Sequence, residues 1–285
     1  MEARFGPAGN AQAFSDAGFK ATVDAPRWLS TLGLDAYEYQ CGRGVNVGEE
    51  TAAKIGAQAA AHGVAMSIHT PYFINLSSDE TVRMEKNAGY VLASCRVAKA
   101  MGATRLTVHC GGQGKLSRAR ALANTAKNLQ NILSLMEQEG FGGLTLCLET
   151  MGKQSVIGSA EEVCALVAQD DRLLPCIDFG HLNARTQGRY NSREAFAGLF
   201  DLMENTIGVA RTRVFHSHFS KIEYGEKGEK RHLTFADTVY GPDFAPVAAL
   251  AAERGYTPTF ICESAGTQAA DAVTMKQLYE GARQK

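Results

Sequence analysis

The sequence predicts a single (β/α)8 barrel that spans residues 1–285. Short apolar runs typical of buried strands alternate with helical segments eight times, and no linker or shift in composition separates the units. Such alternation requires parallel strands joined by helical crossovers, and eight units close a barrel. An open doubly wound sheet would usually carry a Gly-rich phosphate loop after its first strand, but no GxGxxG motif stands there.

The predicted elements follow one another in regular order. The strands are predicted at residues 5–9, 34–42, 64–69, 104–109, 144–149, 173–178, 214–218 and 259–263. The helices are predicted around residues 27–29, 48–63, 84–99, 117–139, from 159 onwards, 192–210, 245–254 and 268–283. Gly63 ends the Ala-rich helix as a C-terminal glycine commonly does. Residues 219–243 are predicted to form a long polar loop.

Composition narrows the classes of protein that need to be considered. With 45% hydrophobic residues the chain can bury a core, and a net charge of −1 argues against broad electrostatic binding of nucleic acid. The N-terminus does not resemble a signal peptide, and no apolar run reaches membrane length. The seven cysteines include no CxxC pair, so we expect buried thiols and a cytoplasmic location.

Six of the eight predicted strands end in His, Asp or Glu. These residues are His69, His109, Glu149, Asp178, His216 and Glu263, with His181 shortly after Asp178. In a parallel barrel all strand C-termini face one mouth, so the side chains are expected to converge there. Each residue alone could be an ordinary solvated turn residue, but six together favour a site. Imidazole and carboxylate ligands suit zinc or manganese, and so many ligands exceed the needs of one ion. Glu149 could bridge two ions.

Several short motifs at these strand ends resemble those of one protein family. They are His69-Thr-Pro-Tyr72-Phe73-Ile-Asn75-Leu, His109-Cys-Gly-Gly, Leu148-Glu149-Thr150, Asp178-Phe-Gly-His181, His216-Ser-His-Phe-Ser-Lys221 and Cys262-Glu263-Ser264. Together they resemble the HxPYxxNL, HPG, ENT, DTCH, HLNDSK and ETP motifs of the endonuclease IV family of apurinic/apyrimidinic endonucleases. The resemblance extends from about residue 4 to residue 280.

The resemblance implies a trinuclear zinc barrel that repairs DNA. It implies hydrolysis of the phosphodiester 5′ to an abasic site in duplex DNA, with zinc ions stabilising the attacking and leaving oxygens. No protein partner is implied. By this resemblance the first zinc would be held by His69, His109 and Glu149; the second by Glu149, Asp178, His216 and Glu263; and the third in part by His181 and His232. Tyr72 and Phe73 could wedge into the duplex, although they could also be an ordinary aromatic pair on the barrel rim.

The third zinc site is where the sequence departs from the family. The family places an Asp-x-His pair on the long loop, whereas this chain has Lys230 in the carboxylate position before His232. A protonated lysine cannot bind a metal ion. The group that replaces the carboxylate is left open among Glu229, Glu226, Glu223 and His218. Otherwise the third ion is weak or absent, and Lys230 meets the substrate phosphate. The loop after the second strand also departs, and Arg43 is the candidate for the family's DNA-penetrating arginine.

A sugar isomerase or epimerase with the same barrel is the alternative function. Enzymes of the xylose-isomerase-like superfamily use one divalent ion in a Glu-Asp-His-Glu quartet, which Glu149, Asp178, His216 and Glu263 would also satisfy. Such an enzyme has little need of His69, His109 and His181 together as ligands, and this favours the nuclease interpretation. A metal-stabilised binding protein without activity has no support in the sequence.

Overall fold

The computed structural model describes residues 2–284 and shows a closed barrel of eight parallel strands. The strands are β1 (Arg4–Pro7), β2 (Ala36–Gln40), β3 (Ala65–His69), β4 (Arg105–Val108), β5 (Thr145–Glu149), β6 (Leu173–Asp178), β7 (His216–Phe219) and β10 (Thr259–Cys262). The two remaining strands, β8 (Ile222–Gly225) and β9 (Gly228–His232), form an antiparallel hairpin. The barrel strands pair in the order β1-β10-β7-β6-β5-β4-β3-β2, and a parallel bridge between Ala8 and Glu38 closes the ring. The predicted fold is confirmed; Met1 and Lys285, the ends of the predicted range, lie outside the described residues.

Helices connect the strands and surround the barrel. They are α1 (Gln12–Asp16), α2 (Ala25–Thr31), α3 (Glu49–Ala61), α4 (Thr81–Met101), α5 (Arg118–Gln138), α6 (Ala160–Val167), α7 (Phe179–Arg185), α8 (Arg193–Ile207), α9 (Val209–Thr212), α10 (Phe244–Glu253) and α11 (Gln268–Arg283). Local sequence fixes several of their starts. Ser159 and Glu162, for example, form a capping box that satisfies free amide groups in the first turn of α6. Within residues 2–284, no helix combines the length and the apolar character needed to cross a membrane.

The apolar core lies between the strands and the helices rather than inside the barrel. Side chains that point outward from the strands, such as Phe5, Ile68 and Phe260, join one large buried cluster with the helices. Inside the barrel, the described residues form a separate small apolar cluster of Cys147, Leu174 and Cys176. Because the interior near this cluster also carries hydroxyl, carboxylate and imidazole groups, polar chemistry extends below the mouth of the barrel.

Three differences from the predicted elements bear on the site. The predicted polar loop contains the hairpin β8–β9. Strand β7 begins at His216, whereas the sequence predicted a strand that ended near this residue. Helix α7 begins directly after β6, where the sequence predicted no helix, because the side chain of Asp178 caps it by accepting a hydrogen bond from the backbone N–H of His181 (2.7 Å).

Gly6 allows β1 and β2 to approach closely where the barrel closes. A Cβ atom at this position would lie 1.7 Å from the carbonyl oxygen of Ala36. The obstacle is backbone, so it cannot turn aside as a flexible side chain would. The missing side chain is therefore required by the packing of these two strands.

We predict that Gly6→Ala destabilises the protein by about 3 kcal/mol or more, since a clash with backbone exceeds ordinary overpacking. Chemical denaturation would measure the loss. Gly89→Ala is the matched control, because Gly89 is exposed within α4 and a Cβ there meets nothing within 4 Å. The control should gain up to about 1 kcal/mol from helix propensity. Equal stability of Gly6→Ala and the wild type would contradict this account of barrel closure.

Candidate metal centre

Among the groups of side chains that could hold a metal ion, three that together contain most of the predicted ligands lie at the C-terminal mouth of the barrel. The first group is His69, His109 and Glu149; the second is Glu149, Asp178, His218 and Glu263; the third is His181, Glu229 and His232. Within each group, one ligand atom of every residue lies within 4.8 Å of the others. All of the predicted ligands except His216 therefore belong to one of the three groups.

Strand ends explain why the first two groups meet. His69, Glu149 and Asp178 are the last residues of β3, β5 and β6, while His109 and Glu263 directly follow β4 and β10. Neighbouring parallel strands end at the same rim, so residues far apart in the chain, such as His69 and His109, become neighbours in space. Five of the six residues predicted from strand ends therefore lie in the first two groups at this rim.

The carboxylate of Glu149 faces two groups at once. Its Oε2 lies 3.3 Å from Nε2 of His69 and 2.9 Å from Nε2 of His109. Its Oε1 lies 3.1 Å from Nδ1 of His218 and 3.3 Å from Nδ1 of His181. A carboxylate whose two oxygens face different ligand groups has the arrangement needed to bridge two ions.

Asp178 supplies a buried oxygen without a hydrogen-bond partner. Its Oδ1 accepts the hydrogen bond that caps α7, whereas Oδ2 is buried, lies 3.2 Å from Nδ1 of His181 and forms no hydrogen bond among the described residues. Burial, together with the charges of Glu263 and Glu149, raises the pKa of Asp178 despite the opposing charge of His181. An unpartnered oxygen among crowded carboxylates is the environment that a divalent cation stabilises, so the donor set fits a metal ion.

Bonds to backbone carbonyl groups orient two of the histidines. Nδ1 of His69 lies 2.7 Å from the carbonyl oxygen of Thr70, and Nδ1 of His181 lies 2.9 Å from that of Thr150. A carbonyl can only accept, so each Nδ1 carries a proton and donates it. The other nitrogen, Nε2, is then free to bind a metal ion.

Burial and charge act against each other on these ionisable groups. Burial lowers the pKa of His69, but the hydrogen bond and charge of Glu149 outweigh it and raise the pKa to about 9. Burial raises the pKa of Glu149, but His218 and His109 hold it well below its ordinary value. Without metal, a protonated His69 therefore balances part of the carboxylate charge at neutral pH. A bound cation would replace that proton, so metal binding is expected to release protons.

An irregularity in the hairpin brings Glu229 into the third group. Tyr224 pairs with Glu229 and Glu223 pairs with Arg231, so Lys230 is an extra residue in β9. Because a bulge adds one residue, Glu229 and His232 face the same side although they are three positions apart. Oε2 of Glu229 then lies 3.4 Å from Nε2 of His181.

Lys230, which stands at the family's carboxylate position in the sequence comparison, faces away from the third group. Its Nζ lies 3.5 Å from Oε1 of Glu223, and the neighbouring Arg231 contacts the same carboxylate at 2.7 Å. Two successive side chains on one face are the signature of the bulge. Of the alternatives that the sequence left open for this ligand, the geometry favours Glu229.

The expectation that His216 would join Glu149 and Asp178 is not met, because His216 lies deeper in the barrel. It is the first residue of β7, and His218 is two residues nearer the mouth on the same strand face. His218 therefore takes the place predicted for His216. The ring of His216 lies beside Cys176 and His218 instead, and its Nε2 is 2.8 Å from Glu38.

Sequence reasoning did not identify Glu38. This residue is completely buried within β2. Burial raises its pKa, but the charge of His218 together with the hydrogen bond and charge of His216 outweighs that effect and holds the pKa well below its usual range. The only signal in the sequence was a carboxylate inside an otherwise strand-like run, LDAYEYQCG.

Aromatic side chains line the rim beside the metal groups. Tyr72 and Phe73 are 58% and 42% exposed, and Phe73 packs edge-on against Tyr90 with ring centroids 4.8 Å apart. The backbone N–H of Tyr72 donates to the carbonyl of Gly42 (3.2 Å), which joins this rim to the loop that carries the exposed Arg43. Exposed rings beside a basic side chain form a surface on which a nucleic-acid base could stack.

The parallel eight-stranded barrel, with histidine and carboxylate side chains at its strand ends, indicates that the protein belongs to a superfamily of TIM-barrel enzymes. The sequence model of the xylose isomerase-like TIM barrel family matches residues 26–280. The chain belongs to this family. The resemblance to endonuclease IV predicted from the motifs is also confirmed, by the relatives and the solved structure described next.

Sequence relatives include an uncharacterized protein of Methanocaldococcus jannaschii, 31% identical over 251 residues that cover 88% of this chain and 89% of that protein. A probable endonuclease 4 of Geobacillus kaustophilus is 25% identical over 244 residues, which are 79% of each chain. The match to a probable endonuclease 4 of Oceanobacillus iheyensis covers only 52% of that protein, at 27% identity over 55% of this chain.

Solved structures of two kinds share the fold. A D-tagatose 3-epimerase-like protein superposes with a TM-score of 0.73 at 18% identity, covering 99% of this chain and 98% of that one. Endonuclease IV from Thermus thermophilus superposes with a TM-score of 0.72 at 20% identity, covering 98% of this chain and 100% of that one. Two nearly equal scores at such identities show the fold, and the choice of activity must come from the site.

We predict that Glu229→Gln weakens metal binding at the third group by about 100-fold or more, since loss of an outer-shell partner alone commonly costs 10–100-fold. Zinc titration against a chromophoric chelator would measure this. Lys230→Gln, one residue away, is the matched control and should leave all sites unchanged. Weaker binding in the lysine variant, with normal binding in the glutamate variant, would show that the bulge does not orient the hairpin as described.

Proposed function

We propose that the protein is a metal-dependent phosphodiesterase that resembles endonuclease IV and cleaves duplex DNA 5′ to abasic sites, as an enzyme of base-excision repair. The observation that carries the proposal is the shared carboxylate of Glu149. Its two oxygens face separate ligand groups, an arrangement suited to a cluster of ions and unnecessary for a single one. The third group, which includes His181 and Glu229, adds to the same argument.

Bound zinc ions, or manganese as the alternative, would supply Lewis acidity that stabilises charge on the attacking and leaving oxygens of a phosphodiester. The protein's own groups prepare for this role. Glu149 would hold adjacent ions, and the fixed backbone bond of Asp178 leaves Oδ2 directed at the second group. Buried ligands in fixed orientations require little reorganisation during a reaction.

The rim provides the features that a distorted duplex would need. Tyr72 and Phe73 could enter the base stack at the lesion, and the exposed Arg43 lies on the adjoining loop. An abasic nucleotide lacks stacking of its own, so it costs less to displace from the helix than an ordinary nucleotide. Lys230, exposed on the hairpin, is proposed as a contact to a phosphate on the DNA backbone.

We propose a cytoplasmic location for this activity. All seven cysteines are buried and unpaired. Burial raises the pKa of Cys41 to about 11 and that of Cys95 to about 12, which keeps both thiols protonated and unreactive. A chain that keeps so many thiols without forming a disulfide suits a reducing compartment.

A single-metal sugar epimerase is the second candidate, and one observation favours it. The second group consists of Glu149, Asp178, His218 and Glu263, which is a Glu-Asp-His-Glu quartet of the kind expected for such an enzyme. In that case His69 and His109 would contact Glu149 only as hydrogen-bond partners. The number of histidines around this carboxylate makes us rank the epimerase second.

We predict that the zinc-loaded protein nicks a duplex containing a tetrahydrofuran abasic analogue. Glu149→Gln should lower the nicking rate at least about 100-fold, because it removes the charge shared by the first two groups. Gel analysis of an end-labelled duplex would measure the rate. Glu253→Gln, which changes an exposed carboxylate on α10, is the matched control and should nick at the wild-type rate.

The opposite result would reverse the ranking of the two functions. Epimerisation of ketohexoses without nicking under any metal condition would support the second candidate. The same Glu149→Gln variant should then lose epimerase activity, since Glu149 also belongs to the quartet.

A further inference from the structure

Glu38 is a buried carboxylate that lies directly beneath the candidate metal centre. Its Oε2 accepts hydrogen bonds from the hydroxyls of Ser67 (2.9 Å) and Thr107 (3.2 Å) and lies 2.8 Å from Nε2 of His216. Its Oε1 lies 2.8 Å from Nε2 of His218. Burying a carboxylate costs several kcal/mol unless partners compensate, so the surrounding strands are arranged to retain this charge.

The two oxygens of Glu38 have different partners. Three groups hold Oε2 within the barrel, whereas Oε1 faces Nε2 of His218 and accepts a longer hydrogen bond from the side-chain amide of Gln40 (3.4 Å). The carboxylate is thus fixed on one side and directed at a candidate metal ligand on the other. A side chain needed only to fill the barrel would not require this polarity, since an apolar residue could take its place.

His218 is oriented in the opposite sense to His69. Nδ1 of His69 bonds to a backbone carbonyl, so its Nε2 faces the ligand group. In His218, Nδ1 faces the group, 3.1 Å from Glu149 and 3.5 Å from Glu263, and Nε2 faces Glu38. A carboxylate behind an imidazole fixes its tautomer and makes the free nitrogen a stronger ligand than a neutral carbonyl would.

We propose that Glu38 is a positioning residue whose negative charge, 2.8 Å from Nε2 of His218, favours the tautomer protonated on Nε2 and directs Nδ1 at the second ligand group, thereby setting the metal affinity of that group. The proposal rests on the metal dependence of the proposed function. It assigns Glu38 no contact with substrate. Ser67, Thr107 and His216 serve to hold Glu38 in place.

Glu38→Gln tests the proposal, because it keeps the shape of the side chain and removes its charge. Zinc affinity, measured by competition with a chromophoric chelator, should fall by roughly 10–100-fold at one site per chain. A second readout is NMR of protein loaded with ¹¹³Cd and labelled with ¹⁵N-histidine. The wild type should show coupling between cadmium and Nδ1 of His218, and the variant should lose it.

Two further variants separate positioning from folding. Ser67→Ala removes one bond to Glu38 but keeps the charge, so its loss of affinity should be smaller. Glu38→Asp keeps the charge on a shorter arm and should bind with intermediate affinity. Thermal unfolding of each metal-free variant would show whether it is folded. If Glu38→Gln fails to fold, the aspartate variant decides the question: weakened binding supports the proposal and wild-type binding overturns it.

The outcomes also distinguish this proposal from the proposed function. A folded Glu38→Gln protein with wild-type zinc affinity and unchanged cadmium coupling would overturn the positioning role alone. A wild-type protein that binds no metal at the second group would overturn the positioning role and the metal-dependent function together.

Discussion

The buried carboxylate of Glu149 connects the parts of the site that come from different strands. It is 1% exposed and lies within 3.3 Å of imidazole nitrogens from His69, His109, His181 and His218. An isolated carboxylate would be costly at such burial, so its presence depends on the cations or protonated groups around it. The positions of these side chains are therefore linked, because displacing one of them leaves a charge unbalanced.

The need to balance buried charge also applies deeper inside the barrel. Most barrels fill their interior with branched apolar residues, whereas this one places Glu38, His216 and hydroxyl groups below the mouth. The apolar packing that stabilises the fold lies instead between strands and helices, where Phe5 and Phe260 stack with ring centroids 5.3 Å apart. Because polar groups and apolar packing occupy separate layers, the barrel interior can orient the candidate metal ligands while the outer layer supplies hydrophobic stability.

The barrel and several residues of the candidate site could be predicted from the sequence because strand ends are recognisable in it. Where a strand simply ends, its last residue must lie at the mouth, so His69, Glu149 and Asp178 could be placed from their positions alone. The same reasoning could not choose between His216 and His218. Both face inward, and only the start of β7 decides which one reaches the rim.

The other missed residues depend on features that a motif does not record. Glu229 reaches His181 because one extra residue in β9 changes which side chains face inward, and the pairing of the hairpin determines that bulge. Glu38 lies inside a strand rather than at its end, and its partners come from β3, β4 and β7. Contacts between distant strands define its role, so a carboxylate within a strand-like run did not by itself indicate that role.

The most direct test of the central claim is a crystal structure of the zinc-loaded protein with anomalous diffraction measured at the zinc edge. If Glu149 is a bridging carboxylate, the anomalous map will show one ion on each side of it, coordinated by the first and second groups. It will also show a third ion beside Glu229. A single ion held by the second group, with His69 and His109 bonded only to Glu149, would contradict the claim.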